Sequence, residues 1–365
     1  GNSNGNGFPY LGQVGYMQTN VNTPGGVRPE TVTGKEVGME FRFWRNRITF
    51  EATYYNQTSN DLLLVKPVAP SSGYVAEYIN AGSMRNQGVE LLLGADVVKT
   101  KNVTFNVGIN WARNVSEVLA LDDGVEEISI ESGFTALGSY AIVGEPYGVF
   151  YGTSWKRNAA GQLLIDADGY PQVDPVSKNL GNPNPDWLMG ISGNFTYKGL
   201  TVSMLWDIRH GGKIWNGTAA RLNNVGISEA SADRERDYVV EGVYDEETPN
   251  AGQANSTPIP AKDYFQYVVG DAGGAAENSI QDGGWVRLRS VGASYRYSFK
   301  NSETSKNPFK YIELGFTGRN LFLSTKYTGV DPETSLTGAG SNIGGWDYFN
   351  NPGSKSYIIN LKLGL

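Results

Sequence analysis

The 365-residue chain contains no cysteine and a single histidine, His210. Without cysteine there are no disulfide staples, thiolate metal centres or cysteine nucleophiles. One imidazole leaves no His-rich zinc site and only one candidate for a histidine-dependent triad. Charge is sparse, at 18% of residues, with 30 Lys+Arg against 37 Asp+Glu for a net −7. The predicted pI is about 5.0. No basic run is present, which excludes nucleic acid as a partner, because neutralising phosphates needs clustered Lys and Arg. No apolar run approaches the ~20 residues of a spanning helix, and mean hydropathy is −0.35. A helical membrane protein is therefore excluded. A transmembrane barrel is not, because its strands alternate apolar and polar residues and average to a soluble-looking value. Residues 1–7 (GNSNGNG) carry neither a basic n-region nor an apolar h-region, so they do not read as a precursor N-terminus. The expectation is a removed signal or a start partway through a larger protein.

Glycine and tyrosine are abundant. The 47 glycines are about 13% of the chain, against roughly 7% in average usage. Tyrosine (21) leads an aromatic content of 12%. Together they favour sheets with many turns and half-wet faces, since tyrosine joins an apolar ring to a polar tip.

Period-two alternation runs from end to end. Val37, Met39, Phe41 and Phe43 oppose Glu36, Gly38, Glu40 and Arg42; Ile48, Phe50, Ala52 and Tyr54 oppose Arg47, Thr49, Glu51 and Thr53. Residues 88–96, 103–111, 187–197, 200–209 and 356–365 repeat the pattern. Strict alternation predicts half-buried strands. Runs of about 9–11 residues suit a tilted strand crossing a bilayer, where an ordinary strand has ~5–6. The polar faces carry Glu40, Arg42, Glu51, Asp207 and Arg209, as a wet lumen requires. Trp44, Tyr54, Trp111, Trp187, Tyr197 and Tyr357 sit near strand ends, as interfacial girdles do. Connections alternate short (45–46, 98–102, 198–199, 300–308) and long (57–85, 113–186, 210–284, 324–354). That is the arrangement of outer-membrane barrels, with short periplasmic turns and long external loops.

The predicted fold is all-β: an antiparallel transmembrane β-barrel portion of about nine spanning strands with long extracellular loops, occupying residues 1–365. A periplasmic C-terminus makes the first strand descend, which puts residues 1–35 in an external loop. Nine strands of a larger barrel cannot close it, and unpaired edge N–H and C=O groups in lipid cost several kcal/mol each. The remaining strands come from another chain, the rest of a precursor or other copies; the preferred source is an N-terminal portion. The competing reading is a secreted or surface-exposed soluble β-rich carbohydrate-binding protein. A plain diffusion porin ranks third.

In order along the chain, 28–30 (RPE) with 36–38 (EVG), 80–82 (NAG) with Arg85, Asn86 and 88–90 (GVE), 181–185 (GNPNP) before Trp187, and 285–291 (WVRLRSV) before Tyr295 resemble the C-terminal part of the SusC/RagA family of TonB-dependent outer-membrane transporters. The most specific segment is 318–333, with Arg319, Asn320, Leu321, Tyr327, Gly329, Asp331, Pro332 and Glu333. It is similar to that family's penultimate strand and following external loop. The resemblance implies a plugged barrel of the 22-stranded class in the outer membrane. It implies a SusD-like surface lipoprotein as a lid, import of oligosaccharides or peptides, and energy from TonB acting on an N-terminal plug. No plug or TonB box has a counterpart here, so the remaining N-terminal barrel and plug portion is an implied partner. The last residue, Leu365, stands where such barrels often end in an aromatic.

No enzyme motif emerges, and no cofactor is expected. Asp166 and Asp168 begin like a calcium loop, but Tyr170 and Pro171 replace the next ligand and the turn glycine. Gly338-Ala-Gly340 lacks the third glycine of a dinucleotide fingerprint, and Thr33-Gly-Lys35 lacks the upstream P-loop glycine. Asp122, Asp123, Glu126 and Glu127 read as solvated loop acids rather than a glycosidase pair. Arg287 and Arg289 share one face and read as pore-lining or strand-pairing. The ligand-binding candidates are external-loop aromatics, Tyr151, Trp155, Trp215, Trp346 and Tyr348, whose faces suit sugar rings or peptide side chains. Packing of the loops on one another, or on a lid, competes with that role.

Overall fold

The computed structural model describes residues 20–122, 124–134, 136–299, 308–338 and 343–365. Every alternating segment lies in one nine-stranded antiparallel sheet, with neighbours in chain order. The wall strands are β1 (Thr31–Phe43), β2 (Ile48–Asn60), β3 (Ser83–Lys99), β4 (Val103–Ala120), β5 (Trp187–Tyr197), β6 (Leu200–His210), β7 (Trp285–Ser298), β8 (Tyr311–Thr325) and β9 (Ser356–Gly364). The sheet is open, and β1 and β9 are its edges among the described residues.

Several strands outrun their alternation. β1 starts at Thr31, inside the segment expected as loop, and β3 and β4 reach 17 and 18 residues. Alternation marks only the stretch with one apolar face. Beyond it polar and apolar residues mix on each face, as in residues 83–87 of β3 and 112–120 of β4, and the backbone ladder continues without a period-two signature.

Register turns the alternation into faces. Cross-strand pairing sets Phe41 beside Phe50, then Leu93, Ile109, Ile191, Trp206, Leu288 and Phe322, one apolar row crossing eight strands. A second row runs Phe105, Phe195, Val202, Ala293, Phe316, Ile359. No second sheet covers these rows among the described residues: Val37, Met39, Phe41, Leu93, Phe195, Leu314, Phe316, Ile359 and Leu361 are all exposed. Contiguous apolar area on this scale is foreign to a water-facing surface and matches the lipid face of a transmembrane barrel. The opposite face carries Glu40, Glu51, Asp207, Arg209, Arg296 and Glu313.

The short turns lie together at one end. Residues 44–47 turn through the left-handed region, with φ of 48° at Trp44, 58° at Arg45 and 63° at Asn46, and Arg47 N–H donates to Phe43 C=O at 3.0 Å. Gly199 completes the β5–β6 turn where a Cβ would run into the Arg296 carbonyl. The β7–β8 turn falls largely on residues 300–307, outside the described residues. Trp44, Tyr197, Tyr295 and Tyr297 leave ring area exposed at this end, a girdle of the kind that sits at a membrane interface.

The buried core sits at the other end, in the long loops. One cluster holds Trp155, Ile165, Val240, Ile259, Val268 and Ala275; another holds Leu137, Phe150, Trp215, Ile343 and Trp346. Loops from different connections are zipped together by short parallel pairings, Leu164–Ile165 with Val243–Tyr244 and Trp215–Asn216 with Trp346–Asp347. The loops therefore form one packed cap over the mouth of the sheet.

Candidate functional site

The wall and the cap meet where β6, β7 and β8 end. Asp207 pairs with Arg287 in register, and Arg209 with Trp285. A β-bulge at Arg289 leaves it without a register partner on either neighbouring strand. Bulges re-aim side chains, and this one sends Arg289 to two carboxylates: its Nε and Nη2 donate to Asp207 at 2.9 and 2.7 Å, and its Nη1 donates to Glu333 at 2.6 Å. Arg287 Nη2 donates to Asp331 at 2.6 Å, with both side chains buried. Trp285 lies beneath both guanidinium groups, 5.5 Å from that of Arg287 and 5.0 Å from that of Arg289.

These contacts give the segment similar to the family motif a physical role. Asp331 and Glu333 tie the last external loop to the wall. Asp331 also orders its own turn, accepting the Glu333 N–H at 3.0 Å, while its carbonyl accepts the Thr334 hydroxyl at 2.9 Å. Pro332 is buried between them. Tyr327 is buried, and its hydroxyl donates to the buried Asp347. Burial and then the Asp347 carboxylate push that phenol well above its ordinary value, so it stays a donor. Gly329 is required because a Cβ there would strike the Tyr327 ring. Asn320, at φ 54°, donates to Ser354 C=O at 3.1 Å, Leu321 packs over Gly318, and Arg319 stays exposed on the inner face. The sequence places these residues near one another; the Arg287 and Arg289 partners, forty-odd positions away, appear only in the fold. The available signal is the slip in alternation between Leu288 and Val291, where two polar residues stand in place of one.

The five loop aromatics divide. Trp155, Trp215 and Trp346 are 2%, 6% and 2% exposed. Trp155 donates to Asn278 Oδ1 at 2.9 Å, Trp346 donates to Ser139 Oγ at 3.1 Å, and Trp215 lies edge-on to Trp346 at 5.2 Å. These three tryptophans hold the cap together and have no face left for a ligand, which corrects the ligand-contact expectation for them. Each ring brings a large apolar area that the neighbouring Ile165, Ile259, Phe150 and Leu137 cover. Tyr151, beside Tyr140 at 4.9 Å, and Tyr348, stacked on Trp215 at 6.0 Å, remain half-exposed.

The cation candidates form an ordinary turn. Asp166 Oδ1 accepts the N–H groups of Asp168 and Tyr170 at 3.0 and 2.9 Å. Among the described residues, no three acidic or histidine side chains gather as a metal would need. His210 stacks on Trp187 at 4.9 Å and lies 3.3 Å from Asp186, at the surface. Asp122 pairs with Lys66 at 2.9 Å; Asp123 and Gly340 lie outside the described residues.

One cap residue has an unusual titration. The buried Tyr244 phenol oxygen lies 3.4 and 2.6 Å from the hydroxyls of Ser256 and Thr257, and accepts both their backbone N–H groups at 3.1 Å. These hydroxyls first, then the amides, pull it down from about 10 to about 8. A depressed acid pKa stabilises the folded cap fully above pH 10, and that contribution disappears as pH falls through 8. A spectrophotometric titration should show one tyrosine ionising near pH 8 that Tyr244→Phe abolishes. Superimposable titrations of the two proteins would refute the assignment.

Residues 2–321 match the family described as TonB dependent receptor-like, beta-barrel. The chain is 24% identical over 362 residues to TonB-dependent receptor P3 of Formosa agariphila, covering 92% of this chain and 34% of that protein. To TonB-dependent receptor SusC of Bacteroides thetaiotaomicron it is 22% identical over 321 residues, covering 83% of this chain and 30% of that one. The fold superposes on the RagAB peptide importer in its closed-closed state with a TM-score of 0.64 at 20% identity, over 92% of this chain and 35% of that one. This chain thus spans about a third of the length of the curated relatives it matches. Because the family match runs from ahead of β1 into β8, the chain belongs to the TonB dependent receptor-like β-barrel family and crosses the outer membrane on its strands.

Proposed function

We propose that this chain is part of the wall and external mouth of an outer-membrane nutrient importer whose cargo is an oligosaccharide or a peptide. The observation that carries the reading is the sheet with its uncovered apolar face on one side, its charged face on the other, and a packed cap at one end only. The open edges at β1 and β9 call for further strands, since unpaired edges in hydrocarbon are too costly to persist. The remaining barrel and plug portion supplies them in this reading. TonB acts through that plug, and a SusD-like lipoprotein seats on the cap. SusC and RagAB relatives support the partnership, and RagAB, a peptide importer, supports peptide as one cargo. Tyr151 and Tyr348 are the loop aromatics left to meet cargo. The wall has no chemistry to perform: it seals lipid from water and holds the mouth in shape. The soluble carbohydrate-binding reading has no account of the uncovered apolar rows.

The test uses the intact transporter. It should need detergent for extraction and migrate differently on gels before and after boiling. Cells lacking it should lose uptake of a defined oligosaccharide or oligopeptide pool. Release into buffer without detergent would end the reading.

A further inference from the structure

At the cap end of β6, β7 and β8 the apolar face does not stop flush with the loops. Ile208, Val286 and Ser324 pair side by side, two residues beyond Trp206, Leu288 and Phe322 of the apolar row. They floor a cavity of about 600 Å³. Two residues further along, His210 pairs with Trp187 in register and stacks on it at 4.9 Å, an aromatic of the kind that marks a membrane interface. The cavity therefore opens on the lipid side of the wall, at the height where hydrocarbon gives way to headgroups.

Its rim carries charge of both signs. Lys213 and Lys326 supply the cations, Asp186 and Asp282 the carboxylates. Lys213 and Asp282 stand opposite each other in a ladder of short strands, yet among the described residues neither forms an ion pair within 4.0 Å, and nor does Lys326. Asp282 accepts the Gly284 N–H at 2.8 Å through one oxygen, which leaves the other free. Asp186 has His210 at 3.3 Å, and both side chains are more than half exposed. A Cβ at Gly211 would strike the Asp186 carboxylate, so a glycine keeps that side of the cavity open.

We infer that this cavity holds the zwitterionic headgroup of an outer-leaflet lipid, a phosphoethanolamine. The two lysines are donors only and suit its phosphate; the two carboxylates are acceptors only and suit its ammonium. Bonds between ionised partners are roughly twice as strong as neutral ones. The acyl chains continue down Ile208 and Val286 onto the apolar rows, where lipid already lies. A purely anionic headgroup would satisfy the lysines and set its charge against Asp186 and Asp282. A choline headgroup has the right charges and no N–H to donate. The inference rests on the membrane-facing sheet and is independent of the cargo.

The test titrates the intact transporter, purified in detergent, with dihexanoyl lipids bearing ethanolamine, choline or glycerol headgroups. The ethanolamine lipid should bind at least about tenfold more tightly than the choline lipid, the scale of one bond to a charged group, and several-fold more tightly than the glycerol lipid. Asp186→Asn with Asp282→Asn should bring ethanolamine down to the choline level without weakening the glycerol lipid. Lys213→Gln with Lys326→Gln should weaken all three about tenfold. None of the four side chains is buried, and heat-modifiable mobility on gels verifies that each variant is folded; the single changes Asp282→Asn and Lys326→Gln should act in the same directions. Equal binding of the ethanolamine and choline lipids, a preference that survives the aspartate changes, or preference for the glycerol lipid overturns the site. Water-soluble phosphoethanolamine that displaces the lipid at equal concentration overturns the lipid as occupant and makes the free compound the ligand.

Discussion

Replacing Ile359 by arginine is expected to destabilise the intact transporter by about 2–4 kcal/mol, whereas the same change at the next residue, Asn360, costs less than about 0.5 kcal/mol. The two side chains leave the middle of β9 in opposite directions. Ile359 pairs with Phe316 on the apolar face and is 75% exposed, with nothing but lipid to cover it. Asn360 pairs with Gly315 on the charged face, two residues along from the Lys362–Glu313 pair. A guanidinium at Ile359 must enter hydrocarbon, while one at Asn360 stays in water. Urea unfolding in lipid vesicles measures both. Equal destabilisation would mean that the two faces meet the same medium, and the membrane reading of the sheet would fall.

The second large effect is at the wall–cap junction. Asp331→Ala strands Arg287, a buried guanidinium, with only a longer 3.5 Å contact to Glu333, at a cost of about 3–5 kcal/mol. Replacing the pair together, Arg287→Met with Asp331→Leu, should recover most of that loss, because an apolar pair of similar volume avoids desolvating two charges. Glu333→Ala should cost no more than about 1 kcal/mol, since Glu333 is half-exposed and Arg289 keeps Asp207. The readouts are unfolding midpoint and protease cleavage within residues 326–354, which the ion pairs hold against the wall. If Asp331→Ala leaves cleavage unchanged, the loop is anchored elsewhere.

The wall was legible in the sequence because a strand with oil on one side and water on the other must alternate at every residue. Val37 to Phe43 and Tyr357 to Leu363 announce both the strand and the face that meets lipid, and the rhythm of short and long connections orders the nine strands. Strand ends were less legible: in β3 and β4 the pairing runs on where polar and apolar residues no longer alternate, and in β4 it carries Val118 into the buried core. The cap was hardly legible at all. Trp155, Trp215 and Trp346 looked like ligand contacts because a loop aromatic carries no periodicity to show whether its face is covered, and only the parallel pairing of distant loops buries them. The same holds for the 318–333 segment, which the sequence identifies as a motif without indicating what it grips. Local alternation depends on the solvent at each residue and is written along the chain. The partners of Arg287 and the buried faces of the tryptophans depend on which loops meet in space, and only the folded cap decides that.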